Sequence, residues 1–161
     1  MSPTTHDFGW GPVPAHRHSN GGGWVADTAT VADTAYIGPD ARVYGDARVY
    51  GNARVFGDAW VDGDAWVDGT RHVLMLPQLG NESGTLWRTK DGHQLRAGCK
   101  LTTIGDARVA LRTPEDIWPD VDDDTRLRFV QQWLAGLVLC QLRADEWDSE
   151  RAVPSSQEPT E

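Results

Sequence analysis

An aliphatic residue returns at every sixth position from Val25 to Val73, passing through Val31, Ile37, Val43, Val49, Val55, Val61 and Val67. A period of six matches neither a helix, at about 3.6 residues per turn, nor the simple alternation of a strand, so it reports a repeat. The fifth position of the first seven hexads is Ala, from Ala29 to Ala65, and the third is Gly from Gly45 to Gly69, mostly followed by Asp or Asn. This pattern predicts short strands centred on inward-pointing aliphatic residues. Gly-Asp and Gly-Asn pairs supply the tight bends, with the small Ala inside each corner. Three such sides close one triangular coil of eighteen residues, so the eight hexads make fewer than three coils. A prism of that size is only ~13 Å tall at ~4.8 Å per strand layer. Its two ends expose unpaired edges and need caps.

The flanking stretches lose the six-residue period. Residues 1–23, rich in Pro, Gly, His and Trp, read as an irregular N-terminal arm that caps one end together with Trp24. The repeats occupy residues 24–74, and Arg71, at an Ala position, marks their exit. Residues 75–148 read as a small α+β module. Within it, Thr85 to Lys90 and His93 to Ala97 flank Asp91-Gly92, a hairpin signal. Thr113-Pro114 and Asp124-Thr125 read as helix starts. The second opens a helix running to about Ala144, with Leu127, Val130, Trp133, Leu134, Leu137, Val138 and Leu142 as its apolar stripe. Residues 149–161, with Ser155-Ser156 and two prolines, read as a disordered tail.

Composition narrows the class of partner. A formal charge of -9 disfavours a nucleic acid polymer or an anionic membrane surface. No stretch is apolar enough to span a bilayer, and the N-terminus lacks a signal-peptide core. Cys99 and Cys140 form no metal or redox motif. The expected setting is therefore a reduced intracellular one, or else a virion, with no cofactor.

The hexads VYGDAR, VYGNAR and VFGDAW resemble the hexapeptide-repeat family, and the match covers about a third of the chain. The resemblance implies a mainly β fold: a left-handed parallel β-helix of about 2.7 coils over residues 25–73, followed by the α+β module with its β-hairpin and terminal α-helix. It also implies a three-fold homotrimer. It does not fix an activity, because the family includes acyltransferases, γ-class carbonic anhydrases and proteins without known activity. The segments SGTLWRTKDGHQLRAGC and NGGGWVADTATV are further similar to parts of short phage and bacterial repeat proteins with a small C-terminal hairpin-plus-helix module.

Residues eighteen apart stack on one outer face, which turns the repeat into a surface map. Trp24, Arg42 and Trp60 form one column, with Tyr44 and Asp62 beside it. Arg48 and Trp66 form a second beside Tyr50, and Tyr36, Arg54 and His72 a third beside Phe56. Arg and aromatic rings at strand spacing stack as cation-π ladders. These columns are either covered by the C-terminal helix or neighbouring subunits, or they line a cleft between subunits for a nucleotide-type ligand. His16 and His18 alternate along an extended segment and are weak metal candidates. Asp120, Asp122 and Asp124 read as charge ahead of a helix N-terminus, and Asp40, Asp46, Asp58 and Asp64 as caps of their own corners.

Three functional readings follow. The first is a non-catalytic, trimeric β-helix serving assembly or partner binding, as a phage structural or accessory protein whose C-terminal module docks a protein partner. The second is a small-ligand binder or sequestering protein that uses inter-subunit Arg and aromatic columns. The third is a minimal hexapeptide acyltransferase, for which His72 with Arg54 and Tyr36 is the available catalytic group.

Overall fold

The computed structural model describes residues 4–152 as a strand-rich chain ending in one long helix. Eight short strands carry the hexads: β3 (Trp24–Ala26), β4 (Thr30–Val31), β5 (Tyr36–Ile37), β6 (Arg42–Val43), β7 (Arg48–Val49), β8 (Arg54–Val55), β9 (Trp60–Val61) and β10 (Trp66–Val67). They pair in parallel with a step of eighteen residues, in three ladders: β3-β6-β9, β4-β7-β10 and β5-β8. The chain visits the ladders in rotation. Their inward residues meet in one cluster, where Val25, Ile37, Val43, Val49, Val55, Val61 and Val67 are all 0% exposed. Burial of each is worth ~1.5–3 kcal/mol, so this aliphatic row is the main reason such short strands hold together. Ala35, Ala41, Ala47, Ala53, Ala59 and Ala65 fill the corners of the same cluster.

The arm is more regular than its composition predicts. Strands β1 (Thr5–Asp7) and β2 (Pro12–Arg17) form an antiparallel hairpin, and β2 pairs antiparallel with β3. The Asp7 carboxylate accepts from the backbone N–H of Gly9 at 2.7 Å and Gly11 at 3.0 Å, which fixes the turn. Those same bonds hold its carboxyl below the ordinary range. The expected irregular arm is therefore corrected to a hairpin, and it caps by hydrogen bonding. While β2 covers β3, Asn20 O accepts from Ile37 N and Ile37 O accepts from Gly23 N. His18 Nε2 lies 3.1 Å from Ala32 O, next to β4. One segment thus reaches all three edges that the first coil would otherwise leave unpaired.

At the other end, β11 (Val73–Leu79), β12 (Glu82–Arg88), β13 (His93–Ala97) and β14 (Lys100–Thr102) make an antiparallel sheet in that order. The ninth aliphatic residue, Val73, belongs to β11 and pairs with Trp87, so the parallel ladders stop at β10. Trp87 is fully buried in the same cluster as the repeat valines and closes the end of that core. The hairpin predicted at Asp91-Gly92 joins β12 to β13. Helices α1 (Ile104–Ala110), α2 (Pro114–Ile117) and α3 (Asp123–Ala152) follow. The Asp122 carboxylate accepts from Thr125 N at 3.0 Å at the start of α3, and this bond lowers its pKa.

Helix α3 continues well past Ala144, so Ser149 to Ala152 are helical rather than part of a tail; residues 153–161 lie outside the described residues. Its packed face consists of Trp133, Leu137, Cys140, Ala144 and Trp147. Gly136 admits the close approach of β11, since a Cβ there would meet Leu79 Cδ1 at 2.5 Å. The predicted stripe is corrected in part: Trp133 and Leu137 are buried as expected, whereas Leu127, Leu134, Val138 and Leu142 point outward, 44–58% exposed. Among the described residues, no helix is long and apolar enough to cross a membrane.

Candidate functional site

The first column holds the richest chemistry, and its own chain covers it. Arg42 lies over Trp60 at 4.5 Å, while Arg17 lies over Trp24 at 4.3 Å. The His6 ring from β1 stacks on Trp24 at 4.3 Å and 11°. Burial, with smaller contributions from Arg42 and Arg17, lowers the His6 pKa. Arg96, from β13, approaches the Trp60 ring at 4.8 Å.

Tyr44, Asp62 and Arg96 form a buried cluster beside this column. The Tyr44 hydroxyl donates to Asp62 Oδ2 at 2.6 Å, and Arg96 Nη2 donates both to that hydroxyl and to the same carboxylate oxygen. Burial, then the Asp62 hydrogen bond, pushes the Tyr44 pKa far up, so the phenol stays protonated. Such a group orients and donates; it does not act as a base. Phe8 and Trp10 from the hairpin reach Tyr44 with ring centroids 5.1 Å away. Together with Leu101 in the middle of the last strand, these rings border a cleft of about 580 Å³.

Tyr44 and its column are thus brought together as the repeat register predicts. His6, Phe8, Trp10 and Arg96 are additions that the sequence reading missed. Asp62 stood beside Tyr44 in the eighteen-residue map, and that spacing was the available signal.

The second and third columns stay open. Arg48 is exposed and lies 5.8 Å from the Trp66 ring, and Tyr50 is half-buried. Arg54 lies 5.3 Å from Tyr36, and Phe56 is 50% exposed. His72 does not continue the third column, because that ladder comprises only β5 and β8. The ring is instead buried at the junction with α3. It pairs with Asp68 through Nδ1, and Nε2 lies 3.2 Å from Glu150 and 3.3 Å from Arg88. His72 therefore ties the repeat end to the last turns of α3.

His16 and His18 are engaged separately, His16 with Asp27 at 2.8 Å and His18 with Ala32 O. Among the described residues, no group of three or more His, Cys, Asp or Glu side chains is placed to hold a metal ion. Of the corner residues, Asp58 accepts from Ser83 of β12, and the Thr28 and Thr34 hydroxyls bridge to the carbonyls of Gly45 and Gly51 in the next coil. Thr28 and Thr34 thus tie neighbouring layers, and Asp58 ties its corner to β12 rather than capping its own turn. Cys99 is exposed and Cys140 is buried, both as free thiols.

Comparison of the chain with protein-family models, curated proteins and solved structures finds no match. The functional reading accordingly rests on this geometry.

Proposed function

We propose that this chain is a short left-handed parallel β-helix of the hexapeptide-repeat type, and that its work is non-catalytic assembly. Three copies associate, and the C-terminal module presents a surface to a protein partner. The fold part of this reading is supported by three parallel ladders with an eighteen-residue step around a single aliphatic core. A role as a phage structural or accessory protein rests on the resemblance of the repeat and hairpin motifs.

The observation that carries the assembly reading is the outer stripe of α3. Leu127, Leu134, Val138 and Leu142 share one side of the helix, with Leu139 beside them, and all five are 44–58% exposed. The intervening positions on that side are Gln131, Ala135 and Gln141, so the stripe is uncharged over about four turns, ~22 Å. A second copy of this chain suits such a stripe better than a charged partner does. An uncharged apolar seam is self-complementary, and it spares a chain of charge -9 from facing its own kind charge against charge. The open Arg48, Trp66, Arg54 and Phe56 faces offer further contact area.

A catalytic reading has less support. Tyr44 is held protonated, and the His72 ring is taken up by Asp68, Glu150 and Arg88.

Native mass spectrometry of the full chain and of a Leu134→Glu/Val138→Glu variant tests the proposal. A wild-type trimer that dissociates to a folded monomer in the variant supports it. A wild-type monomer at tens of micromolar, or a variant that stays trimeric, overturns it.

A further inference from the structure

A cavity of about 150 Å³ lies within the C-terminal module, between the turn that joins β13 to β14 and the helices α1, α2 and α3. Its walls are Ala107 of α1, Leu111 just after it, Ile117 of α2, Trp118 just after that, and Trp133 of α3. Cys99, Lys100 and Ala110 are the exposed members of the lining, so they mark the mouth. The two indoles are buried and are held from outside the cavity. Trp118 Nε1 donates to Asn81 Oδ1 at 3.1 Å, and the Trp118 ring meets Phe129 edge-on at 5.3 Å. A Cβ at Gly84 would meet the Trp133 ring at 3.3 Å, so β12 holds that ring closely. The walls are therefore set before anything enters.

Protein interiors are close-packed, with few voids larger than a water molecule, so a space of this size between fixed side chains calls for an occupant. Water is poorly served in it. A buried water needs two to four polar partners, and the Trp118 N–H is already spent on Asn81. An apolar cavity of about 150 Å³ stays dry and takes up benzene. Glu82 and Lys100 are the only charged residues of the lining and have opposite signs, so the site favours neither a cation nor an anion. Where α1 borders the space it contributes Ala107 and Ala110, which leave the room that a leucine would take.

We propose that this cavity binds one small, uncharged apolar molecule of about the size of benzene or toluene, selected by volume and by the cost of burying a charge. The fit needs no ionic head and no particular hydrogen bond. The site is independent of the assembly proposal, because its walls come from one chain.

Methyl NMR of the full chain, labelled with carbon-13 at its alanine methyls and titrated with benzene, tests this. The Ala97, Ala107 and Ala110 signals are expected to shift saturably with one common dissociation constant, while Ala53, sealed in the repeat core, stays in place. Benzoate and benzylamine should each bind at least about tenfold more weakly than benzene. Ala107→Leu fills the space and should weaken benzene binding at least about tenfold. Ala110→Leu, at an exposed position of α1 where leucine suits a helix, obstructs the mouth and decides the matter if Ala107→Leu fails to fold. The proposal is overturned if no saturable shift appears up to the solubility limit of benzene, if Ala53 moves with the same dissociation constant, if either ion binds as tightly as benzene, or if every folded filling variant keeps the wild-type affinity.

Discussion

Tyr44 donates its hydroxyl hydrogen to Asp62 at 2.6 Å, across the eighteen-residue step between β6 and β9. Arg96 completes the contact from a different sheet, so one buried carboxylate ties the repeat to the C-terminal module. Breaking a buried pair by removing one partner strands the other charge. Arg96→Met is therefore expected to lower stability by ~3–5 kcal/mol. Tyr44→Phe, which removes a neutral donor only, is expected to cost ~1–2 kcal/mol. Urea denaturation of the two variants measures both, and equal losses would contradict this ordering.

The layered repeat makes equivalent glycines unequal. Gly45 and Gly63 both have positive φ, +68° and +62°, so Ala is strained at either by ~1–2 kcal/mol. At Gly45, however, the added Cβ would also meet Gly63 N at 2.8 Å, whereas at Gly63 it meets nothing within 4 Å. Gly45→Ala should accordingly be the more destabilising by at least ~1 kcal/mol, because its neighbour is main chain and has little room to retreat. Chemical denaturation of the two single variants decides it.

The parts of the fold that local spacing dictates were legible in the chain. Nine aliphatic residues at a step of six specified the register, and the register alone placed Trp24, Arg42 and Trp60 in a column. The Asp91-Gly92 turn likewise specified its hairpin. What depends on distant packing was not legible. Helix α3 has two apolar sides, and helical spacing alone drew residues of both into one stripe, Trp133 and Leu137 together with Leu127, Leu134, Val138 and Leu142. The side that meets the sheet is the one whose Trp133, Cys140, Ala144 and Trp147 suit the groove that Leu76, Leu86 and Leu95 leave. Arg96 sits between Leu95 and Ala97 in an ordinary strand alternation, and nothing in that alternation points to Asp62. Helix α1 was missed although a local signal existed: the Thr103 hydroxyl accepts from Asp106 N at 3.0 Å, a capping pattern present in the chain as Thr-x-x-Asp.

The two thiols are expected to behave oppositely. Cys99 is exposed, while Cys140 is fully buried and its pKa is pushed up to about 12 from an ordinary value near 9. Burial is the main cause; Arg108 opposes it weakly. Maleimide at neutral pH should label one site in the native protein and two in urea. The linkage has a definite sign. Above about pH 9 the unfolded thiol ionises while the folded one does not, so Cys140 contributes a loss of stability as pH rises from about 9 to about 12. Cys140→Ala should flatten that part of the stability curve relative to wild type, and parallel curves would refute the assignment.

The N-terminal hairpin should loosen on acidification. His6 stacks on Trp24 with Arg42 and Arg17 nearby, and His18 sits against Ala32 O in the cap; the pKa of each is lowered below the ordinary 6.5, chiefly by burial. Because the detached arm takes up protons at higher pH than the docked arm, the docked form has its full stability above about pH 6.5 and loses it as pH falls below. Charging His6 beside Arg42 and Arg17 adds repulsion in the same direction. Amide hydrogen exchange, corrected for intrinsic rate, should therefore show protection of residues 12–17 falling between pH 7 and pH 5, while that of residues 85–88 in β12 holds. His6→Phe keeps a ring on Trp24 and removes the titration, so it should reduce the pH dependence of the hairpin. If protection in β12 fell in step with that of β2, the acid effect would belong to the whole fold rather than to these two imidazoles.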